Sequence, residues 1–284
     1  MSETDADADA GTGTDPDPGP DGDDRPAAAG SASPHRPDTP VVLAVEELRK
    51  EFGGVTALAD ASLRVHDGEV CTLVGPNGAG KTTLFDCVMG VHEPTAGTVR
   101  LRGEDATGRP THELVQTGLA RTFQIPRVFP ELSVRENMAV NQRHDDESIV
   151  ATLYRDTDAD VHAAIDRLLS FVGLAEQAGD RAGDLSTGQQ KLLSLATTLL
   201  GDPAVVMLDE PTAGVNPGLV EEITEMLLEL KARGRTFLVV EHEMDFVRAT
   251  SDHVYVLADG TNLVDGPPEE ALSDPRVLES YFGR

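Results

Sequence analysis

From residue 41 onward, short apolar runs alternate with segments whose apolar residues recur at helical spacing. Glu69-Val70-Cys71-Thr72-Leu73-Val74 enters from the turn pair Asp67-Gly68, and its length and continuity predict a buried strand of the parallel kind. Val205 to Leu208, Phe237 to Val240 and Val254 to Leu257 repeat the pattern. Between them, Leu192, Leu193, Leu195, Ala196, Leu199 and Leu200 fall on one helix face, and Leu219 to Lys231 predicts another helix. A third helical stripe runs through residues 161, 165, 168 and 169, so the section from about Arg121 to Gly183 is expected to be mostly helical. Strands alternating with helices imply an α/β fold with a parallel sheet covered on both faces.

Composition adds a boundary. Residues 1 to about 40 are dominated by Asp, Ala, Gly, Pro, Ser and Thr, with nine Asp and one Glu against Arg25 and Arg36 only. Such a segment buries too little apolar surface to offset its ordering entropy, so 1–40 reads as a disordered acidic tail and 41–284 as the folded domain. Solubility is the plain function for such a tail. No window approaches eighteen uninterrupted apolar residues, and the N-terminus has neither a basic segment nor an apolar core. The expected location is therefore the cytoplasm.

Removing the tail's net −8 from the total of −27 leaves −19 on the folded part, and the whole chain holds 4 Lys against 19 Arg. This charge suits a salt-rich, halophilic cytoplasm, where self-repulsion is screened. It argues against a nucleic-acid partner, because phosphate contact needs basic patches. Cys71 and Cys87 have apolar neighbours and no metal spacing, which predicts reduced, buried thiols.

The candidate chemistry is concentrated in three places. Gly75-Pro76-Asn77-Gly78-Ala79-Gly80-Lys81-Thr82, continuing to Thr83, matches G-x-x-x-x-G-K-[ST] between a strand and a helix. Its glycines free the backbone to wrap amide groups around phosphates, Lys81 reaches the β/γ-phosphates of ATP, and the Thr82 hydroxyl ligates Mg²⁺. The run Val205 to Leu208 ends in Asp209-Glu210, where open α/β sheets bind ligands. Asp209 is the expected Mg²⁺ carboxylate and Glu210 the base that takes a proton from the attacking water. Solvated acids capping a strand are the plain alternative for that pair. Leu185-Ser186-Thr187-Gly188-Gln189 heads the leucine-rich helix, with Ser186 placed as its N-cap. His242 stands among Glu241, Glu243 and Asp245 with no second imidazole or thiol nearby, which gives little support for zinc.

With those motifs in that order, the sequence resembles the ATP-binding-cassette (ABC) ATPases from Val41 to Arg284. The resemblance implies a P-loop ATPase fold with an antiparallel edge sheet, from Val41 to about Asp67, and a helical signature subdomain. It implies that Ser186, Gly188 and Gln189 belong to a signature acting in trans on ATP held by a second ATPase subunit. Phe52 falls where the family stacks an aromatic on adenine, a core role being its rival. Gln124 falls where a loop glutamine joins the Mg²⁺ shell and senses the membrane subunit, and His242 where a switch histidine contacts the γ-phosphate. Thr187 stands in place of the family's usual glycine, and Asn216 in place of a usual Asp.

In such proteins ATP closes two subunits and hydrolysis releases them, driving integral membrane permease subunits from the inner face of the membrane. Gly118-Leu119-Ala120-Arg121-Thr122-Phe123-Gln124, Phe129 to Asn137, Gly188-Gln189-Gln190-Lys191 and the ending Leu278 to Gly283 are similar to the ATPase of branched-chain amino acid importers. That subgroup implies a homo- or heterodimer of ATPase chains and, indirectly, an extracytoplasmic substrate-binding protein. Urea or short-amide import, lipid-type export, and a soluble ATPase acting on nucleic acid or ribosomes are the alternatives.

Overall fold

A computed structural model describes residues 39–122, 128–140 and 159–282. The expected acidic tail, apart from residues 39 and 40, lies outside the described residues.

The chain opens with two long strands, β1 (Val41–Phe52) and β2 (Val55–His66), paired antiparallel. Then come β3 (Val70–Val74), α1 (Lys81–Val88), β4 (Ala96–Leu101), β5 (Glu104–Asp105), α2 (Thr111–Gln116) and β6 (Leu119–Arg121). Helices α3 (Val134–Val140), α4 (Ala159–Phe171) and α5 (Thr187–Leu200) follow, and after them β7 (Val205–Asp209), α6 (Pro217–Ala232), β8 (Phe237–Val240) and α7 (Met244–Thr250). The chain closes with β9 (His253–Ala258), β10 (Thr261–Gly266), α8 (Pro268–Ser273) and α9 (Pro275–Phe282). Among the described residues the strands form one sheet in the order β5-β4-β1-β2-β10-β9-β3-β8-β7-β6.

β3 pairs in parallel with β8 and β9, and β7 lies parallel between β8 and β6. The expected parallel core is there, and it is buried on both faces. Successive residues of a strand point to opposite faces, and the burial follows that rule. Cys71, Leu73, Val205, Met207, Leu238 and Val240 join one apolar cluster with Leu84, Phe85 and Val88 of α1. Val70, Val206, Leu208, Phe237 and Val239 join another with Val134, Met138, Ile165, Leu169, Leu193 and Ala196 of the helical section.

The structure departs from the sequence expectation in two ways. The sheet is mixed beyond β1 and β2: β10 runs antiparallel to β9 and joins β2, and β4 extends the edge beside β1. The Asp259-Gly260 turn allows this hairpin, with Asp259 at φ +48°. Arg121 does not open a helical section but closes β6, paired in parallel with Met207. Helices α3 and α4 lie in this section, with Ile165 and Leu169 buried as the stripe requires, while residues 128–133 and 172–181 are turns and irregular chain. No helix among the described residues is long and apolar enough to cross a membrane.

Phe237 is fully buried between the sheet and the helical section. Phe237→Ala should therefore cost about 3–5 kcal/mol, from lost burial and the cavity left behind. A urea titration followed by circular dichroism reads the change in midpoint.

Candidate functional site

Strand register assembles the site. Val240 pairs with Leu73 on one side and with Asp209 on the other, so the carboxyl ends of β3, β7 and β8 emerge side by side. The loop 75–80, Asp209-Glu210 and Glu241-His242 leave from those three ends.

Gly75 has φ +150°, and a side chain there would drive its Cβ into the Leu257 carbonyl. Gly80 has φ +103°, and a Cβ there would press on the Ala57 carbonyl and Leu58. These two close approaches require glycine. At Gly78 (φ +84°) the corresponding space is open, which leaves room for a ligand over the loop.

Helix α1 starts directly after Gly80 with no side-chain cap and no acidic residue in its first turn. Its leading amides and the positive end of its dipole suit an anion. Lys81 Nζ folds back onto the loop, donating to the carbonyls of Gly75 (2.6 Å) and Pro76 (3.0 Å). Burial lowers the Lys81 pKa, while the charges of Glu210 and Asp209 oppose that shift. The Thr82 side chain is exposed and Thr83 is half-buried on the same first turn.

Asp209 ends β7 and pairs with Arg121 at 2.6 Å. The other arm of that guanidinium reaches Asp86 of α1, also at 2.6 Å, and Arg121 stacks over Phe85 at 5.5 Å. One buried cation thus ties β6, β7 and the nucleotide-loop helix together. No sequence pattern assigns Arg121 this role, because its two partners lie far along the chain.

Glu210 adopts φ +46°, a left-handed conformation that is uncommon away from glycine. Its amide donates to the Val240 carbonyl at 2.9 Å. A strained residue beside phosphate-binding and acidic groups is the pattern found at functional sites. His242 Nδ1 lies 4.0 Å from Glu210 Oε1, and the ring is half exposed. Lys81, Asp209, Glu210 and His242 therefore share one end of the sheet, as expected.

Phe52 is 41% exposed at the tip of β1, with Lys50 Nζ 4.8 Å from its ring centroid and the His92 ring edge-on at 5.1 Å. That exposure removes the core role as a rival. Ser186 caps α5 in a reciprocal box: its hydroxyl accepts from the Gln189 amide at 3.3 Å, and Gln189 Oε1 accepts from the Ser186 amide at 3.0 Å. Gln189 thus serves the helix start. Gly188 packs against Leu219 of α6, and Asn216 caps that helix by accepting from the Leu219 amide at 3.0 Å. These contacts seat the signature at the start of α5, beside the start of α6. Gln124 lies outside the described residues; the chain approaches it through Thr122, whose amide donates to the Met207 carbonyl at 2.9 Å. Cys71 and Cys87 are free and buried, and burial raises both thiol pKa values, that of Cys87 to about 11.

A glycine loop, an uncapped helix start, a lysine and two strand-end carboxylates define a P-loop nucleotide-binding α/β protein. Comparison with known proteins narrows the class. The ABC transporter family model matches residues 58–213. The high-affinity branched-chain amino acid transport ATP-binding protein BraF of Pseudomonas aeruginosa is 38% identical over 251 residues, 85% of this chain and 98% of that protein. A probable branched-chain amino acid transport ATP-binding protein, LivG of Methanocaldococcus jannaschii, is 37% identical over 254 residues, 87% of this chain and 99% of that protein. Among solved structures, the ADP conformation of an ATP-binding cassette of an ABC transporter superposes with a TM-score of 0.78 at 37% identity, covering 87% of this chain and 100% of that one. A nucleotide-free cassette gives 0.77 at 35% identity, covering 86% and 100%. The chain belongs to the ABC transporter family.

Arg121 supplies a test of the site's electrostatics. Arg121→Ala leaves Asp86 and Asp209 facing each other without their shared cation. Because both carboxylates keep some solvent access, the expected loss is about 2 kcal/mol, below that of a fully buried pair. Denaturant unfolding measures it, and Arg121→Lys should recover only part, since one ammonium lacks the fork that reaches both acids.

Proposed function

We propose that this chain is the ATP-hydrolysing subunit of a branched-chain amino acid importer, with residues 41–284 as its nucleotide-binding domain. The observation that carries the ATPase reading is the strand register that sets Lys81, Asp209, Glu210 and His242 at one end of the sheet. In this reading the loop from Gly75 to Thr83 holds the triphosphate, and Phe52 stacks on the adenine. Thr82, Asp209 and Gln124 would hold Mg²⁺, which would supply positive charge to the phosphate oxygens. Glu210 takes the proton from the attacking water, and His242 contacts the γ-phosphate.

By the family resemblance the signature at Ser186 and Gly188 acts in trans, so each protomer completes the site of a second ATPase subunit, identical or different. Membrane permease subunits take up the resulting motion at the inner face of the membrane, and an extracytoplasmic binding protein delivers cargo to them. The likeness to BraF and LivG supports the cargo class.

Glu210→Gln keeps the size of the side chain and removes the base. It should bind ATP, accumulate dimers and turn over at least a hundredfold more slowly, given that general-base catalysis contributes about 10²–10⁴-fold. Size-exclusion chromatography with ATP and a phosphate-release assay read both outcomes, and normal hydrolysis by the variant would sink the base assignment. Cargo is tested separately, by uptake of labelled leucine and urea into proteoliposomes holding the chain with its permeases.

We also infer that the net charge of −27 suits concentrated salt. The melting temperature should rise between low and molar KCl, and a melt that gains nothing counts against this.

A further inference from the structure

The turn after the strained Glu210 is gripped from two sides by charged groups that none of the motifs assigns. Lys191, one helical turn past the signature on α5, spends its ammonium on three carbonyls of this turn: Glu210 (3.1 Å), Pro211 (3.3 Å) and Ala213 (2.6 Å). Glu241 is fully buried at the end of β8. Its Oε1 accepts from the Thr212 amide (2.9 Å) and hydroxyl (2.5 Å), and its Oε2 from the amides of His242 (2.8 Å) and Glu243 (3.2 Å).

A buried carboxylate is costly unless its lone pairs are filled, and here four donors fill them. Donors and acceptors interlock along the turn: the carbonyls of 210, 211 and 213 go to Lys191, and the amide of 212 goes to Glu241. Burial lowers the Lys191 pKa while Glu241 and Glu210 oppose that shift, so the two grips also sense each other's charge. A left-handed φ at a bulky residue persists only where its surroundings over-determine it. At Glu210 the Val240 carbonyl holds the amide and Lys191 holds the carbonyl.

We infer that Lys191 and Glu241 are positioning residues which, through Thr212, transmit a shift of this protomer's signature helix to the Glu210 carboxylate and the His242 ring of its own ATP site. The inference rests on the two-protomer reading above. Ser186 begins the helix that carries Lys191 within about 8 Å along its axis, at 1.5 Å per residue. Engagement of the signature by a neighbour's nucleotide thus acts on the same first turns of α5 that hold the hydrolytic turn through Lys191. Whether one site fires is tied to the occupancy of the other, and no ligand passes between them.

The test compares Lys191→Met, Lys191→Arg, Glu241→Gln, Thr212→Val and the Lys191→Met/Glu241→Gln double variant in the full chain assembled with its permeases. Each is checked for folding by thermal melt before steady-state ATP hydrolysis is measured. Removing a buried charged partner should lower kcat about tenfold or more while KM for ATP stays within about twofold, because the glycine loop is untouched. Lys191→Arg, which keeps charge and donors, should stay within about threefold of the parent. The double variant should fall no further than the worse single one, as for residues acting through one element. Should Lys191→Met or Glu241→Gln disrupt folding, Thr212→Val, which removes one hydroxyl at constant volume, carries the test with an expected severalfold loss in kcat alone. Losses that multiply in the double variant, a rise in KM that matches the fall in kcat, or unchanged turnover in folded variants would each overturn the inference and leave the ATPase reading standing. Absence of turnover by the parent assembly would instead remove the ATPase reading, and this inference with it.

Discussion

Three parallel strands in fixed register are the constraint on which the site depends. Val240 of β8 is paired in register with Leu73 of β3 and Asp209 of β7, so the chain has no freedom to place the glycine loop, the carboxylates and His242 elsewhere. A slip of β7 by one residue would exchange its two faces. Asp209 would then turn into the apolar layer occupied by Leu208, Phe237 and Ile223, and Leu208 would turn toward the ligand. The burial of both faces forbids that slip. The precision of the site is thus inherited from hydrophobic packing several ångströms away, and rigid strands rather than loops set its geometry.

On that frame the chain handles charge unusually for so acidic a protein. Of its four lysines, Lys81 and Lys191 both stand close to Glu210, one on the phosphate side and one on the signature side. Arg121 neutralises Asp209 and Asp86 together. At Asp86 and Asp209, which lie close together with little access to water, the shared cation matters because an unpaired acid there costs far more than one on the surface. The surface keeps the negative excess, where solvent and salt screen it.

This distribution also explains what was legible in the sequence. β3, β7, β8 and β9 were readable because each is a continuous apolar run, and the burial of both faces leaves no polar interruption. β10 was not, since Thr261-Asn262-Leu263-Val264-Asp265-Gly266 is mostly half-buried and is tied in by particulars such as the Asn262 side chain accepting from the Ser62 amide at 2.8 Å. Arg121 sat inside a recognised motif, yet its role depends on Asp86 and Asp209, acids 35 and 88 residues away in sequence. The contacts of Lys191 and Glu241 were not legible for a different reason. Their partners are mostly backbone atoms of one turn, and no pattern of residue types encodes the position of a carbonyl. Ser186 as a cap was legible because capping is local, with donor and acceptor three residues apart.

The described chain is also self-satisfied in a way that bears on how nucleotide would act. Lys81 bonds the carbonyls of its own loop, and Ser186 bonds its own Gln189. A phosphate entering the loop would replace carbonyls as the partner of an ammonium that is already hydrogen-bonded, so the gain is a difference and not the full strength of the new bond. The same arithmetic applies at Ser186, whose hydroxyl is already engaged with Gln189 as a helix cap, so any ligand that takes it gains only a difference.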